Sequence, residues 1–272
     1  MSTAAPGPLP ASASPIRWSR APIAIWRLLR VVAHIVGGLW LVHGGWDRLP
    51  PREREQRTRT WSLRLLNLLG LTVQPSGVPH AGARLVVSNH VSWLDIIVIN
   101  SVMPSRFVSK AEVGQWPVIG RLVTAAGTLY LVRERRRDAM RVLGLMSQSL
   151  RDGDSVAVFP EGTTGAGHGI MHFHANLVQA AIDAPAPLQP VVLHYRDAHE
   201  AVSQSAAYIG DTGLLASMWM VACAKDLCVS VQILPAQSVA HADRRVLTER
   251  LHADMSQHLS ASIEAAQGRA LN

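Results

Sequence analysis

A histidine and an aspartate stand five residues apart in Ser88-Asn89-His90-Val91-Ser92-Trp93-Leu94-Asp95, directly after a short apolar run. A carboxylate that holds one imidazole nitrogen fixes the tautomer and leaves the other nitrogen free as a base. Around a regular helix of 3.6 residues per turn the two side chains would diverge by about 140°. They can meet only if His90 lies ahead of the helix. Ser92 supplies that break, because Ser92-Trp93-Leu94-Asp95 fits the S-x-x-[DE] start signal with Ser92 as N-cap and Asp95 at the third helical position. His90 then falls at the end of a strand, where open α/β sheets gather their ligands. The competing reading is that Asp95 only caps the helix and His90 is an ordinary loop residue.

A second polar cluster, Phe159-Pro160-Glu161-Gly162-Thr163-Thr164, follows the apolar run Ser155–Phe159 and so also emerges from a strand end. Gly162 permits a tight turn and close backbone approach, while Glu161, Thr163 and Thr164 offer hydrogen bonds to a polar headgroup. Between the clusters, Gly127 to Arg133 reads as a strand ending in an arginine suited to an anionic group. His168, His172 and His174 follow the second cluster, but no neighbouring Cys or carboxylate completes a four-coordinate set, so no metal is expected. Cys223 and Cys228 lack CxxC spacing and read as small core residues of a reducing compartment.

The elements that must carry these residues alternate. Strands are expected at Leu85–Val87, Arg106–Ser109, Thr128–Val132, Ser155–Phe159, Val191–Tyr195 and Cys228–Leu234, with helices at about 93–102, 117–126, 136–151, 174–183 and 243–266. Asp243 is the expected cap of the last helix. This alternation means an α/β fold, a mixed and mostly parallel sheet flanked by helices over residues 71–272.

Residues 1–16 are Ala, Pro and Ser without period and are expected to be a disordered tail. Residues 17–70 read as a membrane-associated helical pair. They begin with an apolar stretch from Ile23 to Val42, interrupted by Arg27 and Arg30, whose uncharged part is short for a straight span; both arginines are expected to snorkel towards headgroups. A second helix, Arg52 to Leu69, gathers arginines at its start and Trp61 and leucines at its end, a composition suited to the interface plane, and stops at Gly70. A helix packed on the protein's own core, and an ordinary solvated charged face, are the alternatives for these two segments.

With 272 residues the chain can bury a large core, and with 48% apolar against 17% charged residues it is neither disordered nor collagen-like. Its net charge of +7 is local: residues 1–64 hold ten arginines and three acids, and the remainder is balanced. A pI near 10.4 raises nucleic-acid binding, but a basic, Trp-rich leader on a neutral body points instead to an anionic lipid surface. No nucleic-acid partner is expected.

Asn89-His90-x4-Asp95, the Gly127 to Arg133 strand, Phe159-Pro160-Glu161-Gly162-Thr163 and Pro190-Val191-Val192 resemble, in order and approximate spacing, the four blocks of the glycerolipid acyltransferase family, over about residues 60–235. The resemblance implies a general base at His90, oriented by Asp95. It also implies that Arg133, Glu161 and Gly162 hold the acceptor headgroup, and that Lys110 lies near a phosphate. The activity implied is acyl transfer from a thioester, on acyl carrier protein or coenzyme A, to the hydroxyl of a lysolipid such as 1-acyl-sn-glycerol-3-phosphate, without a cofactor, at the cytoplasmic face of the cell membrane. One departure stands out: many phosphatidic-acid-forming members carry Arg and Ser after Glu-Gly-Thr, where this chain has Thr164 and Gly165. The segment Tyr208-Ile209-Gly210-Asp211 with Leu214, Leu215, Ser217 and Trp219 is similar to members that acylate lyso-ornithine lipid. A non-catalytic lipid-surface module is the alternative of another class.

Overall fold

The computed structural model describes residues 18–131, 136–240 and 242–270. Two helices lead, α1 (Ala21–His43) and α2 (Pro51–Leu69), and the body follows as β1 (Leu71–Ser76), β2 (Leu85–Ser88), α3 (Leu94–Val102), β3 (Arg106–Lys110), α4 (Ala111–Gly114), α5 (Ile119–Ala125) and β4 (Leu129–Leu131). It continues with α6 (Arg136–Arg151), β5 (Val156–Val158), α7 (Gln179–Asp183), β6 (Leu188–Arg196), α8 (Leu214–Cys223), β7 (Leu227–Ile233) and α9 (Arg244–Ala270). The expected helix at 174–183 is broken, its first turn being the 3₁₀ segment Ala175–Val178.

The seven strands form one sheet in the order β1-β7-β6-β2-β5-β3-β4. From β6 to β4 all neighbours are parallel, β7 runs antiparallel to β6, and β1 is parallel to β7. The mixed, mostly parallel sheet is as expected. Strand β1 is the one the sequence pattern did not indicate, since Pro75 argues against a strand interior; it is tolerated because β1 is an edge. The alternation of Leu85, Val86 and Val87 divides the core: Val86 joins a cluster beneath α2 and α3, while Leu85 and Val87 join one with Val142 and Met146 of α6 and Leu251 and Met255 of α9. Both faces of the sheet are therefore covered, which is what buries the central parallel strands.

Helix α2 opens with Pro51 at its first position and closes on Gly70 in the left-handed conformation, φ 81°. Its leucines correct the interface-plane expectation. Leu65, Leu66, Leu68 and Leu69 are buried in the main core against α3, and only Leu63 of that group is exposed. Arg27 is corrected too, because its Nη1 donates to the carbonyls of Ala222 (2.9 Å) and Ala224 (3.2 Å) and satisfies the end of α8 instead of reaching outward. Helix α1 nevertheless turns Ile23, Ile25, Trp26, Leu29, Val32, Val36 and Trp40 to the outside, burying only Ala24, Val31 and Gly38. At the far end of the chain, Asp243 caps α9 as expected, accepting from the amides of Arg245 (2.8 Å) and Val246 (3.1 Å).

Candidate active site

The parallel strands β2, β5 and β3 end at one edge of the sheet, and the expected site residues lie just beyond them. His90 follows β2, Glu161 and Gly162 follow β5, and Lys110 closes β3. His90 and Asp95 meet: Nδ1 of His90 lies 2.8 Å from Oδ2 of Asp95. The same oxygen accepts from the amides of Val91 (2.7 Å) and Ser92 (2.9 Å), and Oδ1 accepts from the Tyr195 hydroxyl at 2.7 Å. Every partner of the carboxylate is a donor, so Nδ1 carries the proton and Nε2 is the free nitrogen. Asp95 is fully buried, whereas the His90 side chain keeps 19% of its surface exposed.

Ser92 departs from its expected role. The helix begins at Leu94, the residue before it makes no side-chain cap, and the buried Ser92 Oγ has no partner among the described residues. Only the reciprocal half of the capping box forms, Asp95 reaching back to the Ser92 amide. A carboxylate already held by a tyrosine and two amides fixes the turn without the serine hydroxyl.

The rest of the site braces His90. Its ring stacks on Phe159 with centroids 4.0 Å apart and planes 8° from parallel, and Phe107 stacks behind at 5.8 Å. Oε1 of Glu161 accepts from the His90 amide at 2.7 Å and Oε2 from the Met171 amide at 2.8 Å, while the Gly165 amide donates to the His90 carbonyl at 2.8 Å. Glu161 is 6% exposed and accepts one amide on each oxygen, so it fastens the second cluster to the His90 loop. Burial pushes its carboxyl above the usual range, and the two backbone donors pull it partly back. Thr164 is tied into the fold as well, its hydroxyl donating to the Tyr208 carbonyl and the Tyr208 amide donating to the Val91 carbonyl at 2.9 Å. Gly162 sits at φ 70°, which only glycine adopts freely, with the His174 ring beside it. Gly162, Thr163 and Lys110 are the exposed members of the expected headgroup set; Arg133 lies outside the described residues. Among the described residues no three metal-ligating side chains gather, and His172 meets His174 edge to face at 5.9 Å.

Two residues that matter here were given no role at the level of sequence. Asn89, 2% exposed, exchanges 2.9 and 2.8 Å hydrogen bonds with the carbonyl and amide of Leu193, tying the loop to β6. Tyr195, 2% exposed, completes the Asp95 shell; burial first, and then the Asp95 charge, hold its phenol well above the usual range and keep it a donor. A signal for it existed, because period-two alternation puts Tyr195 on the core face with Val191 and Leu193, where a polar tip needs a partner.

A buried carboxylate, an oriented imidazole and a free Nε2 lie at the strand ends of a doubly covered α/β sheet, an arrangement chemically able to take a proton from an incoming nucleophile. Comparison with known proteins gives the class. Residues 71–194 match the Acyltransferase family model. The 1-acyl-sn-glycerol-3-phosphate acyltransferase of Neisseria gonorrhoeae is 35% identical over 184 residues, 67% of this chain and 72% of that protein. The lyso-ornithine lipid O-acyltransferase of Pseudomonas aeruginosa is 34% identical over 231 residues, 80% of this chain and 88% of that protein. The crystal structure of the 1-acyl-sn-glycerophosphate acyltransferase of Thermotoga maritima shares the fold, with a TM-score of 0.69 at 18% identity over 89% of this chain and 95% of that one. The chain belongs to the acyltransferase family and is an enzyme of that class, which sets aside the non-catalytic alternative.

Proposed function

We propose that the protein transfers a fatty acyl group from a thioester, on acyl carrier protein or coenzyme A, to the free hydroxyl of a lysolipid at the cytoplasmic face of a membrane. The observation that carries this reading is the Nδ1 contact of His90 with Asp95, 2.8 Å, which leaves Nε2 as the free base beyond β2. Nε2 takes the hydroxyl proton as the oxygen attacks the thioester carbonyl. The tetrahedral intermediate then expels the thiolate, which the imidazolium protonates, giving ester and free thiol. Asp95 stabilises the imidazolium without taking its proton. General-base help of this kind contributes roughly 10²–10⁴ in rate, and the remainder falls to holding two substrates together and to donors at the developing oxyanion. The thioester supplies the driving force, so the reading calls on no resident metal or redox group.

The acceptor we infer first is 1-acyl-sn-glycerol-3-phosphate, with Lys110 and Arg133 as its cations and Gly162 and Thr163 at the polar end. A specific observation favours a second acceptor, lyso-ornithine lipid. Thr164 stands where phosphatidic-acid-forming members carry an arginine, and its hydroxyl is engaged by Tyr208. Two relatives named for that acceptor align over 80% and 93% of this chain, although two others cover about half of it. Purified protein supplied with both lysolipids and labelled acyl thioesters should form one ester, and His90→Ala should form none while melting at the same temperature. Turnover retained by His90→Ala overturns the mechanism, and the lipid labelled decides the acceptor.

A further inference from the structure

Helices α1 and α2 flank an open cleft of about 440 Å³ that His90 does not line, with Arg30, His34, Gly37 and Gly38 on one wall and Trp61 and Arg64 on the other. Arg30 rests over the Trp26 ring at 4.1 Å, and neither Arg30 nor Arg64 has a carboxylate partner among the described residues. No acid lies in the chain between Glu55 and Asp95, so nothing nearby on α1 or α2 offsets these two charges. The walls are set by contacts of their own. His34 Nε2 bonds the Trp61 carbonyl at 3.0 Å, the two rings stack at 4.9 Å, and a Cβ at Gly38 would stand 2.7 Å from Trp61 Nε1. Gly38 is thus needed for helix packing. Gly37 is different: a Cβ there would meet nothing within 4 Å, yet a helical glycine costs about 1 kcal/mol relative to alanine. Its bare backbone lines the cleft, and no packing among the described residues accounts for it.

We propose that this cleft is a second lipid site, which takes the phosphate of an anionic phospholipid between Arg30 and Arg64 while the acyl chains lie along the outward apolar side of α1. Two guanidiniums that line one cleft without a carboxylate partner among the described residues are complementary to a phosphodiester. Trp26, Leu29, Val36 and Trp40, exposed on the same helix, offer a path for acyl chains that a soluble phosphate would not use. Gly37 leaves room for the glycerol backbone to approach. The site goes beyond the proposed acyl transfer and rests only on its membrane placement, so it is tested by binding rather than turnover.

The experiment measures binding of the full chain to phosphatidylcholine vesicles with and without phosphatidylglycerol. The charge-matched pairs Arg30→Gln/Arg64→Gln and Arg48→Gln/Arg52→Gln are compared, together with Gly37→Leu. Any arginine near an anionic surface contributes roughly fivefold to partitioning, so a diffuse basic surface makes the two pairs equivalent. A site makes the cleft pair lose the anionic preference by about tenfold more than the control pair, the scale of a charge-assisted hydrogen bond. Gly37→Leu separates the readings by sign: it adds apolar surface and helix propensity, so it strengthens non-specific insertion, yet it fills the cleft and should lower the preference for phosphatidylglycerol. Unchanged or greater preference in Gly37→Leu, or equal losses in both pairs, overturns the proposal. Inorganic phosphate should not displace the vesicles at constant ionic strength; displacement would make the ligand a free anion and overturn the lipid assignment. A chain that binds neither vesicle refutes the membrane placement itself.

Discussion

At the scale of single residues, the site is a histidine aimed by a carboxylate that has no freedom left. Asp95 accepts from His90, two amides and Tyr195, and the tyrosine is the only one of these donors that can be removed without touching the motif. Tyr195→Phe leaves one buried oxygen of Asp95 unpaired, which should cost about 1–3 kcal/mol in urea unfolding. It should lower kcat with little change in KM, because the base is misaimed while the substrate contacts stay; an unchanged kcat would show that the amides alone hold Asp95. Glu161 yields a pH prediction. Its carboxyl is raised in the folded protein, so the folded state binds the proton more tightly than the unfolded one. Stability therefore falls as pH rises from the ordinary carboxyl value to the raised one, and levels off above it. In Glu161→Gln that slope should vanish from urea midpoints measured against pH. The amide also presents a donor to one of the two backbone amides it replaces an acceptor for, so turnover should fall.

At the scale of elements, the leading helices illustrate how much a local pattern leaves open. The leucine-rich end of α2 fits an interfacial helix and a core helix equally well by composition, and the presence of α3 beside it decides for the core. Gly70 illustrates the converse. As a stop signal it was legible, yet its position also admits the guanidinium of Arg27, which an added Cβ would meet at 2.1 Å. Gly70→Ala should therefore cost more than the 1–2 kcal/mol expected for a left-handed residue alone, and in an Arg27→Ala background the cost should shrink to about that value. Gly37→Ala is the contrasting case, with nothing within 4 Å, and should stabilise by up to about 1 kcal/mol. Thermal melts of Gly70→Ala, Arg27→Ala, the double variant and Gly37→Ala check both. Helix α8 and strand β1 had no expected counterpart. The first is apolar on most sides and lacks a helical period, and the second contains Pro75.

At the scale of the whole molecule, the charge map and the exposed face of α1 converge. The excess of +7 lies in residues 1–64, and the one described helix long and apolar enough to cross a membrane, Ala21–His43, is 11% buried over its most apolar window. Raising salt from about 0.1 to 1 M shortens the Debye length from about 10 to 3 Å. Binding to anionic vesicles should weaken accordingly, while turnover in neutral detergent should be nearly unchanged; binding insensitive to salt would assign the attachment to the apolar face alone.

The sequence by itself determined the His90–Asp95 pair, the strand ends that carry it and the α/β alternation, because a five-residue spacing, a turn and a period of two or 3.6 are properties of local chain geometry. Which partners each polar side chain takes was decided only by tertiary structure. Glu161 and Thr164 read as headgroup ligands from the sequence alone; the tertiary structure also gives them fold partners, the His90 and Met171 amides for Glu161 and the Tyr208 carbonyl for Thr164. Tyr195 is 100 residues from Asp95 and becomes its partner only through the pairing of β2 with β6. A buried polar atom takes the nearest donor or acceptor that the sheet brings to it, and that neighbour is set by strand order.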